Sequence, residues 1–273
     1  MVCYNFILFS FFVIKEFQLI KDYTNFILKS TNKHGVHSPF VFNLITECFN
    51  KKTNKNLWQL FKKTKQQLLD NKNYIQVTDF GSGSKIFTSK NRQISKIAKI
   101  AGISNKKARI LIKVIAYFKP KNILEVGTSL GLGTSSIKIG YPNSTITTLE
   151  GCPKTASVAK NLFLSNNFKN TTIIIGSFEK TLPKITENNH FDCIYFDGNH
   201  TKEATLTYFK ECLPTIKNDS FWIFDDIYWN SNMKEAWSEI KKNATVTVTI
   251  DLFHFGIVFF RKEQAKEHFK IRV

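Results

Sequence analysis

The chain has 273 residues, 42% hydrophobic and 22% charged, which is ordinary for a globular protein and excludes a low-complexity or disordered chain. Its 39 Lys and Arg against 21 Asp and Glu give a formal net charge of +18. That excess favours anionic partners, but the lysines are spread along the chain and the basic runs are short: Lys51-Lys52, Lys62-Lys63 with Lys65, and Lys106-Lys107 with Arg109. A small-molecule partner is therefore expected, with nucleic acid the lesser alternative. The five cysteines include no C-x-x-C pair, so neither a disulfide framework nor a zinc site is implied and a reducing cytoplasm fits.

Val2 to Ile14 is apolar and aromatic, but shorter than the roughly 20 residues of a membrane span. It also lacks the flanks of a signal peptide. Three readings stay open: a membrane-touching segment within residues 1–20, a helix buried against the body, or an extension from a misassigned start. Residues 15–69 look helical, interrupted by a turn at Lys33 to Phe40, where Ser38 caps a helix with Pro39 at its first position. His34 and His37 in that turn either touch a ligand or are structural. Val77-Thr-Asp-Phe-Gly81-Ser-Gly83-Ser84 has an acid followed by glycines but no long apolar strand before it. It reads as a flexible loop that could cover a ligand. Ile94 to Ala101 and Ile103 to Phe118 read as helices. Residues 1–102 are thus expected to form a helical extension and substrate lid, and 103–273 the main domain.

From Lys121 strands and helices alternate. The expected strands are 122–127, 145–150, 171–175, 191–197 and 219–225. Helices are expected at 131–140, 153–166, 178–185, 201–213 and 230–242. Such alternation implies a parallel sheet covered on both faces. Thr245 to Leu252 and Phe255 to Phe260 then form two strands joined by a turn so short that they must pair antiparallel.

Ligands of such sheets bind beyond the carboxyl ends of the strands. The first strand delivers Glu125, Gly127, Thr128 and Ser129, with Gly131 opening the helix. The second ends about 20 residues on at Glu150, followed by Gly151, where a carboxylate can hold ribose hydroxyls. The glycine order Gly127-x-x-x-Gly131-x-Gly133 differs from the dinucleotide fingerprint, and Glu125 would repel a pyrophosphate but suit an ammonium. The third strand delivers Ser177 and Phe178, set to contact adenine, although Phe178 could equally be core. The fourth ends at Asp197-Gly-Asn-His200 and the fifth at Asp225-Asp226. Three carboxylates on one edge repel unless a cation lies between them, and hard oxygen ligands point to Mg²⁺. The alternative is that one of them caps a helix. His200 is the natural base for a hydroxyl proton at neutral pH.

The segments Glu125-Val-Gly127-Thr-Ser-Leu-Gly131, Glu150, Asp197-Gly-Asn-His200 and Asp225-Asp226 resemble the class I S-adenosylmethionine (SAM)-dependent O-methyltransferases, across about residues 103 to 260. The likeness is greatest to the metal-dependent branch that includes catechol-type enzymes and methyltransferases of macrolide sugars and cephalosporins. The resemblance implies an α/β, Rossmann-like seven-stranded sheet of five parallel strands and a terminal antiparallel pair, with an N-terminal helical extension. It implies SAM bound by Glu125, Gly127, Thr128, Ser129, Gly131, Glu150, Gly151, Ser177, Phe178 and Asp197. It also implies a metal such as Mg²⁺ held by Asp197, Asp225 and Asp226, with His200 and Asp197 catalytic. The chain departs from the catechol type by placing His200 where a lysine is usual and Asp-Asp where Asp-Asn is usual, which puts a catechol substrate in doubt. An RNA methyltransferase and a nucleotide- or NAD-binding Rossmann enzyme are the alternatives. A homo-oligomer is compatible with the sequence.

Overall fold

The computed structural model describes residues 17–78 and 89–273. The N-terminal expectations for Val2 to Ile14, and the acid-glycine part of the segment at Asp79 to Ser84, lie outside the described residues.

Five helices lead into the sheet. Helix α1 (residues 17–29) lays Tyr23 and Phe26 on Phe253. Helix α2 (Pro39–Leu44) starts as expected, with Pro39 in its first turn and Ser38 Oγ accepting from the Val41 N–H. It runs into a π-helical turn, Ile45–Phe49. The expected continuous helix then breaks again, and Asn54 caps α3 (Lys55–Asp70) by accepting from Asn56 N–H. A two-stranded antiparallel ribbon, β1 (Tyr74–Gln76) with β2 (Asn91–Gln93), precedes α4 (Ile94–Ile100) and α5 (Asn105–Phe118). The ribbon strands have three residues each, too few for alternation to reveal in the sequence.

The main sheet has eight strands in the order β10-β8-β9-β7-β6-β3-β4-β5. Strands β3 (Asn122–Val126), β4 (Thr145–Glu150), β5 (Thr171–Ile175), β6 (Cys193–Phe196) and β7 (Phe221–Asp225) are parallel to their neighbours within this set. Strand β9 (Phe255–Phe259) runs antiparallel to both β7 and β8 (Val248–Asp251). The expected five parallel strands and terminal antiparallel pair are therefore present. The addition is β10 (Glu267–Lys270), which pairs parallel to β8 at the edge. Its sequence, EHFK, has little strand character, and edge pairing with the buried Ile271 just beyond it fixes the segment.

Residues alternate between two faces of the sheet. Ile123, Cys193, Tyr195 and Ile223 pack with Leu111, Ile115 and Ile137 of α5 and α6 (Leu132–Gly140), and with Leu44 and Phe61 of the N-terminal helices. Leu124, Ile194, Phe196, Trp222 and Phe224 pack with α8 (Phe178–Thr186), α9 (Lys202–Cys212) and α10 (Ser231–Lys242), through Leu182, Phe209 and Trp237. The central strands β6 and β7 are apolar along most of their length, and Asp197 and Asp225 stand at their carboxyl ends. Helix α7 (Pro153–Ser165) covers β4 and β5. Among the described residues no helix is long and apolar enough to cross a membrane.

Candidate active site

The turn after β3 is held by unusual backbone. Gly127 has φ +109°, Ser129 +48° and Gly131 +84°. A Cβ on Gly127 would collide with the Asp197 carbonyl oxygen, and one on Gly131 would lie 2.6 Å from Phe163 Cε1 of α7. These glycines thus let three elements meet, rather than simply opening space for a ligand. Thr128 is buried and its hydroxyl donates to Leu149 O at 3.0 Å, tying the turn to β4. Glu150, half-buried, caps the arrangement: one carboxylate oxygen accepts from Ser129 N–H at 2.7 Å, the other from Cys152 N–H at 2.9 Å. Gly151 is buried between them.

Glu125 lies beneath the first turn of α6 and is wholly buried. One of its oxygens accepts from the hydroxyls of Thr134 and Thr148, the latter at 2.6 Å. The other, Oε1, has no hydrogen-bond partner among the described residues. Burial pushes its carboxyl up to about 7, with the two threonine hydrogen bonds opposing. An orphaned buried acceptor beside a glycine turn, and a second carboxylate at the end of β4, fit a ligand that carries both an ammonium and a ribose. SAM carries both. Ser177 stands at the N-terminal end of α8 without a side-chain capping bond, and Phe178, half-buried, stands edge-on to Tyr208 at 5.8 Å and presses on Gly198. Phe178 is thus at the strand edge and also part of the packing.

Asp197, Asp225 and Asp226 lie together at the strand ends, with Lys107 and Tyr195 between them. The ammonium of Lys107 in α5 lies 2.7 Å from Asp225 Oδ2 and 3.0 Å from Asp226 Oδ1. The Tyr195 hydroxyl lies 3.1 Å from Asp197 Oδ2 and 3.2 Å from Asp225 Oδ2. Burial, then the neighbouring charges of Asp197 and Asp226, push the Asp225 carboxyl well up, with Lys107 opposing. Burial alone would lower the Lys107 ammonium, but Asp225, Asp226 and Asp197 outweigh it and raise it. Among the described residues no three of His, Cys, Asp or Glu are disposed to hold an ion. The residues as arranged do not fit a divalent metal, because a side-chain cation already stands between two of the three carboxylates. The only sequence signal for Lys107 was its place in the run Lys106-Lys107, which reads equally as a solvated helix start.

His200 Nε2 is 3.7 Å from Asp197 Oδ1, and both side chains are about a quarter exposed, at 23% and 26%. Its ring is 6.4 Å from that of Trp229, which is exposed. The loop that carries it turns through Asn199 at φ +50°, a conformation that Asn tolerates better than most residues. His34 and His37 are exposed in the N-terminal turn.

Residues 124–227 match the family model described as a methyltransferase domain. The eight-stranded fold is similar to that of the S-adenosylhomocysteine (SAH)-bound methyltransferase PaMTH1 of Podospora anserina, at 15% identity and a TM-score of 0.56, covering 83% of this chain and 97% of that one. It is also similar to an O-methyltransferase from Bacillus cereus in complex with SAH, at 16% identity and a TM-score of 0.51, covering 81% and 97%. A third likeness is to a putative caffeoyl-CoA O-methyltransferase from Staphylococcus aureus, at 16% identity and a TM-score of 0.53, covering 76% and 100%. No curated protein matches in sequence. Residues 124–227 thus carry the pattern of a methyltransferase domain, and the fold around them is shared with SAH-bound methyltransferases. The expectation from the glycine turn, Glu150 and the terminal antiparallel pair holds at that level.

Proposed function

We propose that the protein transfers the methyl group of SAM to a hydroxyl of a small molecule. The observation that carries this reading is His200 beside Asp197 at the open end of β6, next to the β3 turn. The O-methyltransferases among the similar folds support the choice of oxygen as acceptor.

The cofactor supplies an electrophilic methyl on a sulfonium. The site's residues would do the rest. Glu125 Oε1 would accept from the ammonium of the methionine part, and Glu150 would accept from the ribose hydroxyls. Ser177 and Phe178 would border the adenine. His200 would take the acceptor's hydroxyl proton as the new C–O bond forms and the S–CH₃ bond breaks, its electron pair staying on sulfur. Asp197 would orient the imidazole and offset the charge it gains. The sheet's main contribution is placement, since in-line displacement rewards holding oxygen, carbon and sulfur in a line.

The test is to incubate the protein with SAM and a panel of phenols, catechols and hydroxylated sugars, and to measure SAH release. An acceptor that releases SAH with the wild type should do so roughly 10²-fold more slowly or worse with His200→Ala, on the scale of losing a general base, while SAH affinity is kept. Equal turnover would remove His200 from the chemistry. Release with an RNA pool alone would favour the nucleic-acid alternative.

A further inference from the structure

We infer that Lys107 takes the place a divalent cation would fill among Asp197, Asp225 and Asp226, so that methyl transfer here runs on a built-in ammonium and needs no metal. The inference rests on the methyltransferase reading for its purpose, but its geometry stands alone.

Lys107 is delivered by local structure. Ser104 caps α5 by accepting from the Lys107 backbone N–H at 3.3 Å, which fixes the residue in the first turn of the helix. From there its side chain crosses to the carboxyl end of β7 and is only 13% exposed, whereas the adjacent Lys106 is exposed. The acids are held to receive it. The Asp226 N–H donates to Asp225 Oδ1 at 2.8 Å and to His254 O at 3.0 Å, with Asp226 at φ +52°. Tyr195 ties Asp225 to Asp197. A magnesium ion needs near-octahedral oxygen at about 2.0–2.1 Å. An ion that close to Asp225 Oδ2 would share that oxygen with an ammonium 2.7 Å away, and two cations would face each other in a largely dry site. Removing the lysine instead would break both ion pairs and leave the cluster of acids without its cation. The lysine therefore does by covalent attachment what a bound ion does by coordination: it lets the three acids coexist and fixes a positive charge at the strand ends. It is a positioning residue, acting through the carboxylates.

The experiment is a titration of Mn²⁺, followed by electron paramagnetic resonance, into wild type, Lys107→Ala and Lys107→Arg, each with and without saturating SAH. Lys107→Ala should bind Mn²⁺ at least tenfold more tightly than the wild type, and Lys107→Arg should behave as the wild type does. Lys107→Met, which keeps most of the stem's packing, takes the alanine variant's role if that one does not fold. Wild-type protein that binds Mn²⁺ as tightly as the variant overturns the inference, as does absence of binding in both. Failure of SAH to bind overturns the methyltransferase reading separately, because the Mn²⁺ comparison without SAH still reports on Lys107.

Discussion

Glu125 shows what a buried carboxyl with one unpartnered oxygen costs the fold. Its carboxyl moves from the usual 4.5 to about 7 because it is wholly buried, while Thr134 and Thr148 hold only one of its oxygens. A carboxyl whose folded pKa is raised leaves stability intact below 4.5 and loses it as the pH rises through 7. The shift corresponds to about 3 kcal/mol at most. Glu125→Gln should therefore match the wild type in urea at pH 4 and exceed it at pH 8. A variant that is less stable at pH 8 would mean that the ionised form is favoured after all. The identity of this residue was legible in the sequence, since an acid two positions before the first glycine stands out. Its burial was not, because the threonines that hold it come from α6 and β4 and are ordinary residues there. Lys107 was still less legible. Its partners lie more than a hundred positions away, and a lysine in a first helical turn ordinarily points to water.

At the scale of elements, the β3 turn is where β3, β6 and α7 meet. Gly131→Ala would place a Cβ 2.6 Å from Phe163 in a backbone at φ +84°. Strain and overpacking together should cost about 1–3 kcal/mol, read as a lower urea midpoint. An unchanged midpoint would mean that α7 moves aside freely. The parallel strands and their helices were legible because apolar runs of strand length alternate with helical spacing from Lys121 on, and the ends differ by at most a few residues. The early helices were harder. The second break before α3, the ribbon β1–β2 and the edge strand β10 depend on tertiary pairing rather than local pattern.

Across the whole molecule, one continuous apolar cluster runs from Leu44 and Phe61 through α5 and α6 to Ile223 and Phe259 of the sheet. The N-terminal helices therefore help to seat α5, the helix that carries Lys107 to the strand ends. Glu125 and Glu150 bring carboxylates to the ends of β3 and β4 in a chain with a net charge of +18, and neither is paired with Lys107. SAM is a cationic ligand, bearing a sulfonium and an ammonium. The antiparallel pairing of β8 with β9 follows from the short turn before Phe255, whereas the order of the strands across the sheet is not legible in the sequence.

Calorimetric titration of SAH into the wild type and Glu150→Ala tests the central claim most directly. The account predicts one site in the wild type and at least tenfold weaker binding in the variant, because Glu150 would hold the ribose and also fixes the Ser129 and Cys152 amides. Absence of SAH binding to the wild type, with or without added Mg²⁺, would contradict it.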